Sequence, residues 1–294
     1  MICVILLCLF LLVGCQPTEN SDVDITVNDN ENIETEIKQE EQEYMEDFIG
    51  TIVDEKYYIR AKELSDKYDV RILIADLCST EFTDHSADLL LNETEIELSL
   101  STIDYVMSRY PEGFFSQLKF DTHQLIEVHV LGELRKEVGV SGAFVTADYS
   151  HKLVMAVDGR GDMPGETING ILEELLYHEI SHLIDKKLDF VALYQDDPVY
   201  SEAGWLALNP EGFEYTNSYE GILDKKYFDY FVNDYACTNS TEDRATIMEF
   251  VMDGDEYPFI EREGLANKLQ YYCEGIRAGF DTTGWPEKLP WEIL

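Results

Sequence analysis

Seven aliphatic residues, Ile171, Leu172, Leu175, Leu176, Ile180, Leu183 and Ile184, recur every three or four positions between Thr167 and about Lys187. That spacing gathers them on one stripe of an α-helix. The same stretch contains LLYHEISHLID, residues 175–185, which sets His178 and His182 four positions apart. On a helix the two imidazoles share one face, roughly 6 Å apart along the axis. The chain must therefore fold around a long helix with a buried aliphatic stripe and a pair of neighbouring histidines.

Two imidazoles so placed can both point at one zinc ion. Glu179 follows the first of them and projects beside such an ion, where a carboxylate can take a proton from water; this is the logic of HExxH. Two buried, hydrogen-bonded histidines would satisfy the spacing equally well. In a chain with only six histidines, however, a chance HExxH is rare. The expectation is one Zn2+ held by His178 and His182, with Glu179 as general base. A zinc enzyme needs a third protein ligand and one open position. No histidine follows His182, and Leu188 stands where a metzincin carries its third. A later carboxylate is the natural ligand, with Cys237 as the other option. NDYACTNSTEDRATIMEF, residues 233–250, offers one. Thr238, Ser240 and Thr241 are potential helix N-caps there, with Glu242 and Asp243 in the first turn. Asp185, three residues after His182, either orients a ligand histidine or serves the helix alone.

Tyr235-Ala236-Cys237-Thr238-Asn239-Ser240-Thr241-Glu242 makes the pattern more specific. With His178-Glu179-Ile180-Ser181-His182 it resembles the gluzincin-type zinc metallopeptidases, the anthrax lethal factor catalytic domain among them. Trp205, Leu208-Asn209-Pro210, Gly212-Phe213, Tyr215 and Glu242-Asp243-Arg244-Ala245 resemble pieces of lipoproteins classed as zinc-binding metallopeptidases. The resemblance spans about 80 residues. It implies that Glu242 is the third ligand and that the Tyr235 hydroxyl hydrogen-bonds a developing oxyanion. Lethal-factor-like sequences often carry a second glutamate four residues after the ligand; Thr246 stands there, and Glu249 can support the site instead. Glu249 and Asp243 remain alternatives for the ligand itself. The resemblance also implies a substrate strand laid along a sheet edge upstream of the active helix, for which Lys152–Val157 is the candidate.

Elsewhere, residues 49–68 read as a helix and 70–77 as a strand. A helix is expected over 100–118, capped by Ser101 or Thr102 and broken at Pro111. Residues 124–134 alternate as a strand does, and two short strands fall at Ala143–Tyr149 and Lys152–Val157. Glycine-rich DGRGDMPG closes the sheet region. From Asp224 to Gly279 the pattern is mostly helical. Strands first and helices later give an α+β class: a small mixed sheet on the HExxH helix, then a mostly helical, zincin-like C-terminal half. Trp205 and the aromatics after it either pack a loop onto the core or line a cleft.

The first residues place the chain. MICVILLCLFLLVGC is an apolar run, too short to span a bilayer comfortably, that ends like a bacterial lipobox. That resemblance implies a signal peptide over 1–14, cleavage before Cys15 and a lipid on the Cys15 sulfur. No Lys or Arg precedes the run, as one usually does. Gln16 to Phe48 hold twelve acidic residues and one lysine, so 15–48 reads as a disordered acidic tether. Residues 49–294 form the metallopeptidase domain. The net charge of −39 excludes nucleic acid as a partner. Cys78, Cys237 and Cys273 are too few and too odd in number for a disulfide framework. Together these readings describe a hydrolase anchored by lipid on the extracellular face of a bacterial membrane and acting on a peptide or protein. A hydrolase of cell-wall peptide amides, or a surface binding lipoprotein with a degenerate metal site, are the competing readings. The oligomeric state is open.

Overall fold

The computed structural model describes residues 50–119, 125–136, 140–146, 152–157, 168–218, 224–254 and 257–294. The signal peptide, the tether, Cys15 and DGRGDMPG lie outside these residues.

Asp54 opens the first helix, α1 (Glu55–Tyr68), by accepting a hydrogen bond from the Lys56 amide; the helix is therefore shorter than 49–68. Strand β1 (Arg71–Ile74) follows and turns into a single 3-10 turn at Ala75–Leu77. After β2 (His85–Leu89), α2 runs over Glu93–Ser108 and begins seven residues earlier than expected. Its cap is Asn92, whose side chain accepts from the amides of Thr94 and Glu95. The hydroxyls expected to cap are absorbed inside the helix: Thr102 is buried, and Ser101 accepts from Arg60. Short hydroxyls can be accommodated inside a helix by local hydrogen bonds, so their presence does not by itself mark its start. Pro111 does separate α2 from a one-turn helix, α3 (Phe114–Gln117).

The sheet has six strands. The long β3 (Glu127–Lys136) is its spine, parallel to β1 and to β6 (Lys152–Ala156) in its first half. Its second half pairs antiparallel with β2 and with β4 (Val140–Ser141). The short β5 (Ala143–Val145) lies antiparallel to β6, and the order β1-β3-β6-β5 puts β5 at the end. Lys152–Val157 is therefore not an edge. Its strand is paired in register on both sides, and among the described residues the edge on that side of the sheet belongs to β5. Side chains alternate as the pleat requires. Val128, Val130, Leu153, Met155 and Val157 enter the main core, while Leu131, Val154 and Ala156 join a small cluster on the opposite face.

Helix α4 (Ile168–Leu193) carries HExxH and continues six residues past Lys187. Leu172, Leu176, Ile180, Leu183, Ile184 and Leu188 are all buried along it. Helix α5 (Glu202–Leu206), 3-10 turns at Lys225–Tyr227 and Tyr235–Cys237, α6 (Ser240–Asp253), α7 (Tyr257–Glu261) and α8 (Glu263–Gly279) complete the chain. The α+β class and the helical C-terminal half are as expected. Helix α4 packs against β5, β6 and α6.

Candidate metal centre

The centre is built where α4 meets the first turn of α6. The cap of α6 is Asn239, not Thr238, Ser240 or Thr241; its side-chain oxygen accepts from the amides of Thr241 at 3.0 Å and Glu242 at 2.9 Å. Asn239 is the extended residue immediately before the helix, so its short acceptor takes the cap that the hydroxyls on either side are not placed to fill. Glu242 is thus tied at its backbone, and its carboxylate sits at the positive end of the helix dipole.

From that turn Glu242 reaches both histidines. Its Oε2 lies 2.9 Å from His178 Nε2 and 3.5 Å from His182 Nε2. The two imidazole rings stand edge to face, 4.9 Å between centroids. His178, His182 and Glu242 offer donor atoms that all fall within 4.8 Å of one another. Ligands about 2.1 Å from a tetrahedral zinc would be roughly 3.4 Å apart, so little movement separates this set from a coordinating one. Two imidazole nitrogens and one carboxylate oxygen are also the donor chemistry of a catalytic zinc site, with one position left over.

Glu249, two turns along α6, meets the other nitrogen of the same ring: its Oε2 is 2.9 Å from His178 Nδ1. His178 therefore lies between two carboxylates. Burial pulls its pKa down, but the hydrogen bonds to Glu242 and Glu249 outweigh that and raise it to about 10. Burial likewise opposes ionisation of Glu242, and the two histidines overcome it and hold the carboxyl well below its usual range. Glu179 is 5% exposed. Burial pushes its pKa up, the histidines act against that, and Glu242 and Glu249 add to it. A carboxylate so placed is a better proton acceptor than one in water.

Tyr235 stands on the 3-10 turn before α6, its ring 5.8 Å from that of His178 and partly open to solvent. The structure thus brings His178, His182, Glu242 and Tyr235 together around one point, with Glu249 behind them. The remaining alternatives lie elsewhere. Asp243 points away to Lys268 at 2.6 Å and Tyr215 at 2.8 Å. Cys237 is a free, buried thiol whose sulfur faces the Asn233 carbonyl. Asp185 bonds Arg244 Nε and the Tyr272 hydroxyl, each at 2.7 Å, rather than orienting a histidine. Trp205 is fully buried and donates to Tyr215 at 3.2 Å, so the aromatic segment packs a loop onto the core. Reading the sequence missed Arg244 and Lys268. Arg244 carried a signal only as part of Glu242-Asp243-Arg244-Ala245, and Lys268, within α8, carried none.

No protein family profile and no curated protein sequence matches this chain. Among solved structures it is similar to a "putative zinc-binding metallo-peptidase" from Bacteroides caccae, with 12% identity and a TM-score of 0.44 over 82% of this chain and 92% of the other.

Proposed function

We propose that this chain is a zinc-dependent metallopeptidase with His178, His182 and Glu242 as its metal ligands. The observation that carries this reading is the convergence of those three donors, from two helices, beside a buried Glu179. Zinc held by such a set supplies a Lewis acid that polarises a carbonyl and acidifies water. Glu179 takes the proton from the water that attacks the peptide carbonyl and passes it to the amine that leaves. The Tyr235 hydroxyl donates a hydrogen bond to the oxygen that gains charge as the carbon becomes tetrahedral. Glu249 keeps a proton on His178 Nδ1, which fixes the ring and leaves Nε2 for the metal.

The substrate in this reading is a peptide or protein, and the enzyme works outside the cell, tethered by lipid on Cys15 through the acidic segment that follows it. The lipobox-like run ending at Cys15 supports that placement. A Cys15→Ser chain is then expected in the aqueous phase of a detergent partition, with the parent chain in the detergent phase; equal partitioning of both would remove the anchor from the proposal.

Digestion of a peptide library and of muropeptides, with and without chelator, tests the activity and separates a general peptidase from a cell-wall amidase. Glu179→Gln is expected to keep its zinc and lose cleavage by at least about a hundredfold. Glu242→Ala is expected to lose the metal, and full zinc occupancy in that variant would sink the ligand assignment. Unchanged behaviour of Glu179→Gln in every assay would favour a binding lipoprotein.

A further inference from the structure

Two of the proposed ligands stand on α4 and the third on α6, so the site exists only while the two helices keep one relative placement. Helix packing alone leaves latitude in slide and rotation. A metal site tolerates displacements of about 0.5 Å. Something must narrow that latitude. The polar contacts between these helices include Glu249 to His178, Glu242 to both histidines, and Arg244 to Asp185. The first two involve the ligands themselves. The third touches no donor atom.

Arg244 comes two residues after Glu242, and Asp185 three after His182. The Arg244 Nε to Asp185 Oδ2 distance is 2.7 Å, with side chains 1% and 4% exposed. Both ends are held in turn. The guanidinium also donates to Glu202 at 3.0 Å and lies over the Trp205 ring, 5.3 Å from its centroid. The other Asp185 oxygen accepts from Tyr272, whose hydroxyl is 3.0 Å from Ser181 Oγ, the residue before His182. A directional bond between two immobilised groups fixes both slide and rotation, which apolar contacts do not.

We propose that the buried Arg244–Asp185 pair is a positioning device that sets α6 against α4 and so brings the Glu242 carboxylate to the two histidines. Its stabilising value is a separate matter. A buried ion pair is often no more stable than apolar residues of similar volume. The neighbouring pair, Asp243–Lys268, supplies the contrast. It is equally buried and sits on the same turn of α6, but it ties that helix to α8, which carries none of the proposed ligands.

The proposal rests on the metal reading above, and the experiment separates the two. Zinc dissociation constants from chelator competition and melting temperatures are measured for the full chain and its variants. Failure of the parent chain to bind zinc ends the metal reading itself. If the parent binds, Arg244→Met/Asp185→Leu is expected to melt within a few degrees of it yet bind zinc at least about tenfold more weakly. Asp243→Asn/Lys268→Met is expected to bind within about twofold, whatever it does to the melt. Should the first double variant fail to fold, Arg244→Lys takes its place: it keeps the charge but loses the planar fork, and a severalfold loss of zinc affinity is expected. Parent-like affinity in the variant that folds, or an equal loss from both pairs, overturns the proposal.

Discussion

His178 is the residue on which the centre turns, because both of its nitrogens face carboxylates. Without metal it keeps its proton to about pH 10. The Glu242 and Glu249 contacts therefore stabilise the metal-free fold fully below the ordinary histidine pKa, about 6.5. That stabilisation is lost as pH rises through about 10, since the folded-state pKa is the raised one. Metal uptake must expel this proton from Nε2, while Glu249 retains the one on Nδ1. Calorimetric zinc titrations at pH 8 in buffers of different ionisation enthalpy should show release of about one proton, fading above about pH 10. No buffer dependence at pH 8 would mean that His178 is neutral before the metal arrives. The histidine pair and Glu179 were legible because i,i+4 spacing on a helix is a local property. Glu249 was legible only as a possibility: its distance from His178 in sequence, 71 residues, is bridged by tertiary packing alone.

At the level of elements, the site depends on how α6 begins. Asn239 caps it through two amides, one of them that of Glu242. Asn239→Ala is expected to cost about 1 kcal/mol of stability and to lower zinc affinity, because the freed turn is the one bearing Glu242. Asn239→Asp should retain both; chemical denaturation and chelator competition give the two numbers. Boundaries were the least legible part of the elements, and for a physical reason. Serine, threonine and asparagine compete for the same cap, and geometry decides among them only after the chain has packed. Strand order was less legible still. Nothing local to Lys152–Ala156 shows that β5 will close its outer side, so an interior strand was read as an edge.

For the molecule as a whole, charge is the dominant fact. Sixty acidic residues face twenty-one basic ones. Among the described residues, the buried cations Arg244 and Lys268 are committed chiefly to the buried carboxylates Asp185 and Asp243, with Arg244 also meeting the partly exposed Glu202, so they offset little of the surface charge. Self-repulsion should therefore weaken the metal-free fold at low ionic strength. Its melting temperature is expected to climb by several degrees as NaCl rises from about 0.01 to 0.5 M, with most of the gain below about 0.15 M, where the Debye length falls most steeply. A flat or falling melt would show that the acidic residues are neutralised locally. Among the described residues no helix is long and apolar enough to cross a membrane. The overall class was legible because patterns of period 2 give way to period 3.6 along the chain, whereas the buried ion pairs holding its layers together carry no periodic signature.

Glu242, Asp243 and Arg244 are consecutive, and each is committed to a different neighbour: the histidines, α8 and Asp185. Each step along a helix turns the side chain by about 100°. A one-residue deletion or insertion in the first turn of α6 would therefore redirect all three at once. Homologous drift in this protein can exchange side chains here one at a time, but it cannot change the reading frame of the turn by gradual steps. Length between Asn239 and Arg244 should be invariant in any relative that keeps the centre, even where the letters are not.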